Sequence, residues 1–191
     1  MRWLGVALVG TALLGASSAA ADLAQNRKVE RYEVKGSGYT AGAARAVVEA
    51  PSPVVRSVVT DFGNYEDFIT RFKSAKIVGK VGDKTDVYLQ VPIMKGTVKI
   101  WAIVRFDPPK KDGEGEVITG KMVKGNVKRL DATWRIKRLD DKRTQLVLEL
   151  AIVPDIPVPD SLVGPELRFA AFKAVSGTRD EAERRACGAS C

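Results

Sequence analysis

Residues 47–78 read VVEAPSPVVRSVVTDFGNYEDFITRFKSAKIV, and this stretch decides the fold. Val47 and Val48 lie in a first strand, which Pro51 breaks because proline has no backbone donor. Pro53 suits the first turn of a helix, with Ser52 as its N-cap. Val54, Val55, Val58, Val59 and Phe62 recur at helical spacing, which predicts a helix over 53–62 with its apolar face on a sheet. Gly63 ends that helix, Asn64 starts a second short one over 64–70, and Ser74 opens the next strand.

Upstream, Gly36 to Ala50 reads as strand one. Downstream, six strand-like segments follow: Ser74–Val81, Thr85–Val91, Thr97–Phe106, Glu116–Val123, Lys128–Leu139 and Arg143–Val153. Turn chemistry separates them at Gly82-Asp83-Lys84, at Pro108 to Gly115 and at Asp140-Asp141-Lys142. Pro92 is expected to end the third strand. Short turns between successive strands imply an antiparallel meander. The last helix begins between Asp160 and Pro165 and runs to about Arg185. From Leu162 to Val175 it is apolar over a wide arc, as a helix is that is buried or closes a cavity. Gly177 reads as a soft spot, and Arg179 to Arg185 as a solvated end. The expected fold is α+β: a curved, seven-stranded antiparallel sheet wrapped on a long C-terminal helix, with two short helices after strand one.

A chain of 191 residues, 45% of them hydrophobic, is one domain with enough apolar material for a sizeable core. Arg2, the apolar run Trp3 to Leu14 and the A-x-A site Ala19-Ala20-Ala21 read as a secretory signal peptide cleaved near Ala21. The run is shorter than the roughly 20 residues a bilayer span needs. No Cys follows it to carry a lipid. The expected plan is 1–21 signal peptide, 22–35 leader, 36–185 ligand-binding domain and 186–191 tail, secreted or periplasmic. The formal charge is +8. Such a balance favours anionic surfaces. Export and the absence of a recognisable motif argue against nucleic acid. Cys187 and Cys191, in the tail CGASC, are open to three readings: a small disulfide loop, metal ligands or free thiols.

The chain has no histidine, which removes imidazole-based nucleophile activation and the commonest general base. No catalytic residue, no cofactor and no metal site is expected. Asp61, Glu66 and Asp67 form a carboxylate cluster suited to capping and solvation. Strand alternation puts Val87, Leu89 and Val91 on one face, and likewise Val98, Ile100, Ala102, Val104 and Phe106. It does the same for Leu130, Ala132, Trp134 and Ile136, and for Leu146, Leu148, Leu150 and Ile152. None of these sets holds an ionisable group. Residue types alone leave a dry core and an apolar cavity equally open.

Residues 50–69, APSPVVRSVVTDFGNYEDFI, carry a family likeness. A strand ends in a small residue and Pro. A helix then closes on Thr60-Asp61-Phe62, and a second element reads Tyr65-Glu66-Asp67-Phe68. Ala132-Thr133-Trp134-Arg135-Ile136 and the Pro-rich 153–159 extend the pattern. The chain resembles the START-like / polyketide cyclase superfamily (SRPBCC), in particular its coenzyme Q-binding branch, over roughly residues 43–184. That resemblance implies the helix-grip fold and a cavity for a hydrophobic ligand.

The expected function is exported, non-enzymatic binding or carriage of a lipid, quinone or isoprenoid. The alternative is an aromatase/cyclase-like enzyme working in the same cavity, which would need Tyr88 and Gln90 to face inward. A third reading is a filled domain that binds another envelope protein. The expected lining is Val87, Leu89, Val91, Ile100, Ala102, Leu130, Trp134, Leu148, Leu150, Leu167, Ala171 and Phe172. Loops at Pro92–Gly96, Met122–Lys128 and Pro154–Gly164 would ring the mouth. Ile93, Met94, Lys95 and Lys124 would dock it on an anionic membrane, at roughly 1 kcal/mol per basic residue. The Pro-rich loop from Pro154 to Pro165 is open to two readings: a gate pivoting on Gly164, or a rigid connector that stops the sheet from pairing with neighbours. The expected partners are a hydrophobic small molecule and an anionic membrane surface, with the protein a monomer.

Overall fold

The computed structural model describes residues 28–33, 41–93, 98–155 and 160–188. Among the described residues, nine antiparallel strands form one sheet: β1 (Glu30–Glu33), β2 (Ala41–Val48), β3 (Ser74–Val81), β4 (Lys84–Ile93), β5 (Val98–Phe106), β6 (Lys110–Asp112), β7 (Gly115–Gly125), β8 (Val127–Arg138) and β9 (Thr144–Pro154). Their order is β1-β2-β9-β8-β7-β5-β4-β3, with β6 paired to β7. Helix α1 (Ser52–Val59), a 3-10 turn (Phe62–Asn64) and α2 (Tyr65–Phe68) come between β2 and β3. Helix α3 (Asp160–Cys187) closes the chain. This is the expected α+β helix-grip architecture. The seven long strands match the seven read from the sequence.

The two additional strands are short and polar. Residues 30–33, expected to be leader, pair with Gly42 to Arg45. Lys110 to Asp112, expected to be turn, pair with Gly115 to Val117. Pro92 does not end its strand but sits within β4 opposite Lys99. Register shifts at Ile77/Gly79, Ile103/Val104 and Val127/Arg129 bend the sheet, because each extra residue adds local twist and curvature.

Alternation sorts the side chains as expected. In β8, Ala132, Trp134 and Ile136 are buried while Arg135 and Lys137 are exposed. Val55, Val58 and Val59 of α1 are buried. Ser52 is the first helical residue rather than the cap. Pro51 holds the cap position, and no side chain caps the helix. Phe62 lies in the 3-10 turn and stacks on Phe106 with ring centroids 4.4 Å apart.

Helix α3 packs along β2 and β9 and touches α1 and α2. Glycines permit this approach. A Cβ at Gly42 would lie 2.4 Å from the backbone nitrogen of Arg168, and one at Gly177 would lie 2.1 Å from the carbonyl oxygen of Phe68. Gly177 is therefore a close contact with α2 rather than a soft spot. The end of α3 is only partly solvated: Thr178 and Ala182 are buried, and Arg185 Nη2 donates to Asp61 Oδ2 at 2.6 Å. Among the described residues no helix is long and apolar enough to cross a membrane.

Candidate ligand-binding cavity

The concave face of the sheet does not meet α3 everywhere. Between them lies a cavity of about 690 Å³, within the roughly 300–1,000 Å³ range of small-molecule sites. Strand alternation supplies most of its wall: Leu89 and Val91 from β4, Ile100, Ala102 and Phe106 from β5, Leu130, Ala132 and Trp134 from β8, and Leu148, Leu150 and Ile152 from β9. Helix α3 adds Val163, Glu166, Leu167, Ala170 and Ala174 at helical spacing. The α2 region adds Tyr65, Ile69, Arg71 and Phe72, and the strand ends add Asn126, Val127, Pro154 and Asp155.

Nine of the twelve residues expected at the lining are there: Leu89, Val91, Ile100, Ala102, Leu130, Trp134, Leu148, Leu150 and Leu167. Three are not. Val87 shares the face of Leu89 but belongs to the fully buried core, because the apolar face of β4 outruns the cavity. Ala171 is fully buried in that same core. One residue along a helix turns a side chain by about 100°, which separates it from Ala170 at the cavity wall. Phe172 stacks on Phe169 at 6.4 Å and carries the guanidinium of Arg31 5.3 Å from its ring, so it belongs to the β1 side.

The charged residues of the wall lie outside the lining expected from the sequence. Tyr65 and Ile69 stand four positions apart, a helical pair that was legible. Arg71 and Glu166, separated by 95 residues, were not. Arg71 Nη2 donates to Glu166 Oε2 at 3.0 Å, and the guanidinium lies 5.0 Å from the ring centroid of Phe169. Glu166 is half-exposed and Asp155 exposed, which puts the carboxylates where the cavity nears solvent.

The Tyr65 hydroxyl donates to the Val59 carbonyl at 2.5 Å. Burial pushes the Tyr65 hydroxyl far above its ordinary pKa, so it stays neutral near neutrality. Asn126 is occupied by the backbone: its amide donates to the Lys99 carbonyl, and its carbonyl accepts from the Trp101 amide. Tyr88 pairs in register with Ile103 and stacks on Trp101 on the opposite face of the sheet. Gln90, in register with Trp101, shares that outer face. No cluster of metal-ligating side chains occurs among the described residues.

Of the expected docking residues, Lys124 is exposed on β7, while Met94, Lys95 and the side chain of Ile93 lie outside the described residues. The expected gate is only partly described. Residues 156–159 lie outside, and Gly164, the expected pivot, is buried inside α3 with Pro165 next to it in the helix. Gly164 is thus part of a helical turn rather than a loop hinge. Cys187 is disulfide-bonded, and Cys191 lies outside the described residues.

Comparisons with known proteins agree with this geometry. In fold, the chain is similar to a STAR-related lipid transfer protein from Xanthomonas axonopodis (14% identity, TM-score 0.69, covering 82% of this chain and 94% of that one). It is similar to the Zhui aromatase/cyclase from a Streptomyces species (23% identity, TM-score 0.61, 85% and 98%). It is also similar to human StAR-related lipid transfer protein 5 (10% identity, TM-score 0.65, 86% and 92%). No curated protein matches the sequence. The family described as polyketide cyclase / dehydrase and lipid transport matches residues 48–176, well over half of the chain. The chain belongs to that family.

Proposed function

We propose that this protein binds and carries a hydrophobic molecule without transforming it. The observation that supports this reading is the cavity itself, whose wall is largely aliphatic and aromatic. Proton-transfer chemistry on a bound substrate needs polar groups aimed at it, so a cyclase role is the less economical reading of this wall. A lipid, quinone or isoprenoid suits the site, and the likeness to the coenzyme Q-binding branch makes a quinone the first candidate.

We also propose that residues 1–21 are a signal peptide and that the mature protein acts outside the cytoplasm, as a monomer. Exposed Lys124 and its neighbours at the mouth would face an anionic membrane. Extraction and mass spectrometry of the protein purified from its own host tests the function. Co-purifying apolar ligand is the expected result. Empty protein whose tryptophan fluorescence ignores quinones, isoprenoids and acyl lipids overturns it. Sequencing the N-terminus of exported protein tests the cleavage.

A further inference from the structure

Arg71 follows α2 and lines the cavity, and its side chain is only 19% exposed. A guanidinium presents five N–H donors. Here Nη2 is engaged by Glu166, while the buried Nε–H meets no acceptor among the described residues. A buried donor left unmet is more costly than an average hydrogen bond is favourable. The charge, by contrast, is already matched: Glu166 sits at 3.0 Å, and Asp155 is a second carboxylate in the same wall. What the guanidinium lacks is an oxygen acceptor, not a counter-charge. Phe169 holds the group from one face, 5.0 Å away. A small swing of the side chain, with half-exposed Glu166 following, presents the Nε–H to the cavity.

We propose that Arg71 is the polar anchor of the cavity. It donates to an uncharged oxygen acceptor, a ketone, quinone or ester carbonyl, at the head of a ligand whose apolar remainder lies against Leu89, Trp134 and Leu148. This rests on the cavity being a ligand site, as proposed above, and adds the chemical class of the head. Glu166 keeps the anchor neutral and so selects against carboxylate heads.

Displacement of the neutral hydrocarbon dye diphenylhexatriene by three ligands of equal carbon number tests it: nonane, methyl heptyl ketone and nonanoate. The ketone is expected to displace dye at about tenfold lower concentration than nonane, the factor one net hydrogen bond supplies. Arg71→Leu is expected to erase that preference while leaving nonane within about twofold. Arg71→Gln, which keeps an N–H donor, is expected to retain part of it. Nonanoate is expected to gain on the ketone only in Glu166→Gln. Equal displacement by ketone and nonane in the wild type overturns the anchor but leaves the cavity reading standing. So does nonanoate as the tightest ligand, or an equal loss for all three in a folded Arg71→Leu. Failure of the dye and of nonane to bind at all overturns both.

Discussion

The hydroxyl of Tyr65 donates to the Val59 carbonyl at 2.5 Å. That bond ties α2 to the end of α1, beside the cavity wall that Tyr65 helps to form. Tyr65→Phe strands the Val59 carbonyl acceptor. Unfolding in urea is expected to show a loss of about 1–3 kcal/mol, and an unchanged midpoint would mean that the carbonyl does not depend on the hydroxyl.

Gly177 reverses a familiar rule. Gly→Ala in a helix ordinarily stabilises by roughly 0.5–1 kcal/mol. Here the added methyl would lie 2.1 Å from the Phe68 carbonyl oxygen, so α2 and α3 must separate. Gly177→Ala is expected to destabilise, by about 1–3 kcal/mol as for other overpacked sites. Thermal unfolding checks the sign.

Thr178, the next residue, has a fully buried side chain whose Oγ1 has no partner among the described residues. Valine has the same shape without the hydroxyl. Thr178→Val is expected to raise stability by about 1 kcal/mol, seen as a higher melting temperature.

Two carboxylates set an acid limit. Lys84 and Thr119 hydrogen-bond Asp107 and hold its pKa at about 2, below an ordinary 3.8. Arg184 and Arg185 hold Glu181 at about 2, below 4.5. Both values are depressed in the folded state, so their stabilisation is fully present above the ordinary carboxylate range and is lost as pH falls from about 4.5 to about 2. Urea midpoints are expected to drop across that interval. Asp107→Asn and Glu181→Gln are expected to flatten the slope, and an unchanged slope in the double variant would refute the assignment.

Ala132 lines the cavity from β8 beside Trp134. Ala132→Phe is expected to fill the space. Diphenylhexatriene binding should fall at least tenfold while the melting temperature holds, because the ring occupies volume that no side chain uses. Retained binding would place the ligand elsewhere.

Local residue patterns were enough to specify the seven long strands, the faces of their side chains and the apolar first half of α3. These follow from backbone geometry, in which period two and period 3.6 sort residues locally. Nine lining residues were legible for that reason. The pairing of 30–33 and of 110–112 was not. Short polar strands are held by backbone hydrogen bonds to a neighbour, and composition carries no trace of these. Nor was Arg71 beside Glu166, which stand 95 positions apart along the chain. The same holds for Val87 and Ala171: apolar periodicity identifies an inward face, but whether that face meets packed side chains or open volume depends on how far the sheet stands from α3. The close backbone contact of Gly42 with α3 sets that distance at β2, and only the assembled fold contains it.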